Sequence, residues 1–205
     1  MKHKIQKGFT LIELLVVIAI IAILAVVVVL TLNPAQLLAQ ARDSNRISDF
    51  ATLKSALALY GTDVSSSTPM NGTTGDFGGG AYALYTQTGA VTTTSTYETA
   101  ASTTWWGFAG GETAVTTTAS RSVNGTGWIP VNLSAISSGA PISVLPVDPV
   151  NSVLNVYVYA ATTTYFKLAT KMESTKYQPG SPNDVESTDG GNSSTTYEQG
   201  SMLSL

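Results

Sequence analysis

The 205-residue chain carries ten basic and thirteen acidic side chains, one histidine and no cysteine, and 43% of its residues are hydrophobic. That length accommodates one modest globular domain beside an apolar N-terminal stretch, and the absence of cysteine excludes a disulfide framework or a thiolate metal site. The histidine is His3, so the rest of the chain lacks the commonest general base and metal ligand, which excludes serine triads and histidine-bound zinc.

Lys2, Lys4 and Lys7 all precede Gly8, and cutting after Gly8 removes these three basic side chains while sparing every acid. The product would be acidic, with no clustered Lys and Arg beyond Arg46, so no nucleic-acid binding is expected of the isolated subunit. Glycines cluster at Gly78 to Gly80, Gly110 to Gly111 and Gly190 to Gly191. None leads into the Gly-Lys-Ser/Thr sequence of a phosphate-cradling loop, and all read as loops.

From Phe9 to Leu32 the chain is apolar apart from Thr10, Glu13 and Thr31. At 1.5 Å per residue this helix would reach roughly 36 Å, enough for a hydrocarbon core of roughly 30 Å. The lysines before it keep the leader cytoplasmic and direct the remainder outward. A secretory signal peptide ending at Ala39-Gln-Ala41 and a plain signal anchor are rival readings of the same stretch. Glu13 separates them. An ionised carboxylate in hydrocarbon costs a few kcal/mol, about 3 by insertion scales, and intramembrane acids usually have a partner. The next charged residue is Arg42, so a partner is expected from another molecule.

The sequence Lys7-Gly8-Phe9-Thr10-Leu11-Ile12-Glu13-Leu14-Leu15 resembles the prepilin processing motif of type IV pilins, type II secretion pseudopilins and DNA-uptake pilins. The resemblance implies that a membrane prepilin peptidase cuts after Gly8 and that the new amine of Phe9 is methylated. It implies a filament-assembly role for Glu13, and a homo-oligomeric helical filament built by an assembly ATPase and an inner-membrane platform. The precursor would cross the cytoplasmic membrane once, and the assembled subunit would lie in an extracellular filament or at the cell surface.

Asn33-Pro34 interrupts the apolar run, and an internal proline removes a backbone hydrogen bond and kinks a helix. Beyond it Ile47, Phe50, Leu53, Leu57 and Tyr60 recur at spacings of three and four, while Arg42, Arg46, Asp49 and Lys54 point elsewhere. One helix from Phe9 to Tyr60 is expected, stopped by Gly61, with Arg42 and Arg46 available to lipid headgroups or to the acids of a neighbouring subunit.

After Gly61 the composition turns to Thr, Ser, Gly, Tyr and Val, which favours β structure. Strands are expected at 81–86, 103–108, 113–120 and 127–133, and a hairpin from 153–160 and 165–172 with Ala161 to Thr163 as its link. The sheet is expected to be antiparallel and to cover the stripe from Ile47 to Tyr60. Leu145-Pro-Val-Asp-Pro149 and the Tyr-rich strand after it resemble a loop and strand of pseudopilin-like proteins. The resulting fold class is α+β and pilin-like: a leader (1–8), a membrane or filament-core helix (9–32), an amphipathic second half (33–60) and a β domain (61–205).

Trp105, Trp106 and Trp128 admit a sugar-stacking reading beside core or interface packing. Asp184 and Asp189, with Glu186, Asn183 and Asn192, are candidate calcium ligands in a Gly-rich loop without the EF-hand pattern; a solvated acidic loop is the alternative. Asn71, Asn124, Asn132 and Asn192 head Asn-x-Ser/Thr triplets. The leading functional reading is a structural, non-enzymatic filament subunit. A secretion pseudopilin, or a minor or DNA-uptake pilin acting as a binding module, is the alternative.

Overall fold

The computed structural model describes residues 8–64, 69–70, 82–87, 112–152 and 154–205. The expected strand at 103–108, Trp105, Trp106 and Asn71 lie outside the described residues. The chain divides into two compact units, 1–38 and 39–205.

In the first unit, α1 (Leu11–Leu32) carries the apolar run, and every described side chain from Gly8 to Leu32 is exposed. Its end corrects the expectation of one helix to Tyr60. Asn33 takes a left-handed conformation with φ 41°, and α2 (Pro34–Asp63) begins at the next residue. A proline disfavours helical geometry at the residue before it, Asn tolerates positive φ better than other non-glycine residues, and proline itself suits the first position of a helix. The pair therefore ends one helix and begins another. Gly61 is no stop either: α2 continues to Asp63, and the Val64 N–H still reaches the Tyr60 carbonyl at 2.9 Å.

In the second unit, α2 buries Ala39, Asp43, Arg46, Phe50, Leu53, Ala56, Leu57 and Tyr60. The sheet runs in the order β2-β1-β3-β4-β5, from β1 (Tyr82–Gln87), β2 (Glu112–Thr118), β3 (Val158–Ala161), β4 (Phe166–Thr170) and β5 (Tyr197–Gly200). Neighbours are antiparallel from β1 through β5, as expected, while β2 adds to β1 in parallel. The predicted hairpin forms with Tyr159 opposite Leu168 and Ala161 opposite Phe166. Its strands are shorter than expected. The stretch 127–133 forms no strand; it takes part in an isolated bridge between Asn124 and Asn132, and a 3-10 turn follows at Leu133–Ala135.

The core lies between α2 and one face of this sheet, and includes Phe50, Leu53, Tyr60, Trp128, Tyr157, Tyr159, Phe166, Leu168 and Tyr197. Phe50 meets Tyr157 edge-on at 5.0 Å and stacks on Tyr197 at 5.7 Å. Each polar tip in this aromatic core finds a partner, as burial demands: Tyr157 Oη donates to Asp49 at 2.7 Å, Tyr159 Oη to the Met70 carbonyl at 2.9 Å and Trp128 Nε1 to the Pro146 carbonyl at 3.0 Å. Trp128 is fully buried, so it is a core residue and presents no ring for sugar stacking. The loop around it closes tightly, since a Cβ on Gly127 would lie 2.1 Å from the Ser122 carbonyl oxygen.

Candidate functional site

The helix start at Thr10 is built from its own side chains. Thr10 caps α1 with an extended backbone, and its Oγ1 accepts the Glu13 N–H at 3.3 Å. Glu13 Oε2 in turn accepts both the Thr10 N–H and the Thr10 hydroxyl at 2.8 Å. This reciprocal capping box satisfies backbone donors that a helix N-terminus otherwise leaves unpaired. Glu13 thus has a local partner that the sequence reading overlooked, although Thr-x-x-Glu before an apolar run is itself the signature. That partner is dipolar and leaves the carboxylate charge uncancelled. Both bonds fall on Oε2, and Glu13 is exposed. Gly8 has nothing within 4 Å of where a Cβ would stand, and Phe9 is 87% exposed. The peptide bond after Gly8 is therefore open to a protease along its described flank.

The window Leu11–Val29 is long and apolar enough to cross a membrane, and none of it is buried within the protein. A helix of this composition in a soluble core would be mostly covered.

The arginines read as available to lipid headgroups or to a neighbouring subunit's acids are engaged inside the second unit. Arg46 is fully buried: its Nη1 contacts Asp43 at 2.7 Å, its Nε contacts Asp148 at 2.6 Å, and its Nη2 contacts Glu173 at 2.5 Å. Burial opposes its charge, but the hydrogen bonds it donates to Asp148, Glu173 and Asp43 outweigh that and raise its pKa. Arg42 grips Glu173 at 2.6 Å, and this hydrogen bond holds the Glu173 carboxyl below its ordinary range. Asp43 further accepts the Glu173 and Ser174 N–H groups, and Asp148 those of Val150 and Asn151. The cluster ties α2 to the Leu145 to Pro149 loop and to the segment after β4. Its residue types signalled charge directed away from the apolar stripe; only the long-range pairing reveals the lock.

The acidic loop is likewise committed. Asp184 accepts from the N–H groups of Gly180, Glu186 and Ser187, and its Oδ2 also takes the Ser187 hydroxyl. Asp189 accepts from Gly191 at 2.8 Å and Glu198 at 2.5 Å. Glu186 is buried, contrary to the solvated-loop reading, and takes the Met172 N–H at 2.9 Å; burial pushes its carboxyl up to about 6. Among the described residues no group of three or more acids or histidines converges as metal ligands would.

Comparison with known proteins adds one finding. Residues 3–29 match the family model described as the prokaryotic N-terminal methylation motif. No curated protein and no solved structure matches the chain. The matched residues run from the basic leader through the capping box and into the exposed helix, and the motif implies prepilin-peptidase processing of a membrane-anchored precursor. This chain carries the prepilin signature of type IV pilins and pseudopilins.

Proposed function

We propose that the chain is a structural subunit of a type IV pilus-like extracellular filament, cut after Gly8, methylated on Phe9 and assembled through α1. The observation that carries this reading is the methylation motif lying on a helix with no buried residue in its apolar window. Such a surface is tolerated in lipid or against copies of itself, and in water it would aggregate.

Cleavage converts the Phe9 amide into a cationic amine about one helical turn from Glu13. Within an apolar bundle, Glu13 of one subunit pairs with the Phe9 amine of the next. At about 4 Å and an effective dielectric near 20 the attraction is about 4 kcal/mol, which offsets an insertion cost of about 3 kcal/mol for the lone carboxylate. Assembly needs the ATPase and membrane platform because the helix must leave the bilayer. The subunit itself has no catalytic role.

The test is co-expression with a prepilin peptidase and assembly machinery, followed by electron microscopy of shed filaments. Filaments containing this chain are expected from the wild type and absent from a Gly8→Ala precursor. Retention of a processed wild-type chain in the membrane, with no filament formed, would contradict the reading.

A further inference from the structure

The sheet face turned away from α2 carries a buried charged pair. Lys167 on β4 stands opposite Ala160 of β3 and Gly200 of β5, and Glu198 stands opposite Ala169, so the two side chains are diagonal neighbours on one face. Both are buried, and Lys167 Nζ lies 2.5 Å from Glu198 Oε1. The ammonium also reaches the Leu205 main-chain oxygen at 3.1 Å and the side-chain oxygen of Asn192 at 2.7 Å.

The 189–193 loop is clamped over this pair. Asp189 holds the Gly191 and Glu198 N–H groups, and Glu198 Oε2 accepts the Ser193 N–H at 3.1 Å. A Cβ on Gly191 would fall 1.6 Å from Glu198 Oε2, so a side chain there would displace the carboxylate from its present place. Glu198 therefore touches the residues on both sides of Asn192 while holding the lysine. The Asn192 amide carbon is one bond of about 1.2 Å beyond the oxygen that Lys167 touches, so the amine has to shift from that oxygen toward Cγ to reach the near-attack separation of about 3 to 3.5 Å.

We propose that Lys167 and Asn192 are a site of autocatalytic amide cross-linking, with Glu198 as the proton carrier. The neutral Lys167 amine attacks Asn192 Cγ while the protonated Glu198 carboxyl donates to the carbonyl oxygen. The proton lost by the lysine nitrogen returns through Glu198 to Asn192 Nδ2. The Cγ–Nδ2 bond then breaks, ammonia leaves and the proton on the carbonyl oxygen returns to Glu198, so one amide replaces another and no oxidant or cofactor is consumed. Burial supports the required protonation states, since it lowers the Lys167 pKa and raises that of Glu198. Asn192 is exposed on its outer side, which gives ammonia a path to water. The bond would tie β4 to the loop before β5. The inference uses the second unit alone and stands whether or not the chain forms filaments.

Intact mass and tryptic mapping of the detergent-extracted full chain test it. The folded wild type is expected to fall short of its sequence mass by about 17 Da, the mass of ammonia. Trypsin should release a branched peptide in which the Lys167 fragment is joined to the Asn192 fragment. Glu198→Gln and Asn192→Ser, with folding checked by circular dichroism, should each restore the full mass and two linear fragments. A full-mass folded wild type means a plain buried ion pair and overturns the proposal. So does the same mass loss with Lys167 still cleaved by trypsin, which means that Asn192 has cyclised on its own main chain. A cross-link that survives in Glu198→Gln overturns the role given to Glu198.

Discussion

An acid at the third position of a helix can reach back to the unpaired donor of the cap, and Glu13 does so through Oε2. The same carboxylate is the only charge on α1, so local geometry and the proposed intermolecular pairing draw on one side chain. They are separable. Glutamine also serves in a capping box but brings no charge, so Glu13→Gln should keep the helix start and membrane insertion yet fail to assemble, as should Glu13→Leu. Normal filaments from Glu13→Gln, counted by microscopy, would show that charge pairing is not what drives assembly. Arg46 poses the opposite problem, since its charge is already matched. Arg46→Met leaves Asp43 and Asp148 buried against an uncharged side chain and should cost about 3 to 5 kcal/mol in urea unfolding. A loss below 1 kcal/mol would mean that the cluster is open to water. For Glu186 the folded-state pKa of about 6 stands above the ordinary 4.5, so the folded protein holds that proton more tightly than the unfolded chain. Its stabilisation is complete below about pH 4.5 and is lost as pH rises to about 6, by at most about 2 kcal/mol. Glu186→Gln should remove that decline from the pH dependence of the melting temperature.

At the scale of elements, the apolar helix, the stripe on α2 and the hairpin were legible because each has a period: an unbroken run, spacings of three and four, and alternation of Val and Tyr. What was misread lacks a period or breaks a compositional rule. β5 is four residues, Tyr-Glu-Gln-Gly, of which Glu and Gly are poor strand formers, and it pairs along the edge that β4 presents. The stretch 127–133 is apolar enough for a strand, but Trp128 and Ile129 are buried from an irregular loop, with the Trp128 N–H held by the Ser120 carbonyl. At the helix junction the proline was read and its effect on the preceding residue was not. Changing Asn33-Pro34 to Ala-Ala restores a backbone donor and removes the clash behind the left-handed residue. The two helices should then fuse into one, seen as unbroken helical carbon chemical shifts through residue 33 in detergent. Shifts that stay non-helical there would show that the break has another cause. In the acidic loop, Asp184 and Asp189 spend their oxygens on main-chain N–H groups, so calcium addition and chelation should both leave the melting temperature of the second unit unchanged.

For the whole molecule, the two units present opposite chemistry. Among the described residues, 39–205 form a core whose buried aromatic tips and charges find partners, whereas α1 exposes Leu, Ile and Val along its described length. A soluble protein does not leave such a helix uncovered; a precursor held in a bilayer and later packed among copies does. The sequence made the membrane crossing readable through length and apolarity. The stronger claim, a helix that becomes an assembly interface, rests on Gly8, Phe9 and Glu13, whose meaning depends on a bond being cut. The most direct measurement is therefore the N-terminus and intact mass of the chain extracted from membranes containing a prepilin peptidase. The account predicts a chain beginning at methylated Phe9; one beginning at Met1 would make it a plain anchor, and one beginning at Arg42 would make the whole segment a discarded signal peptide.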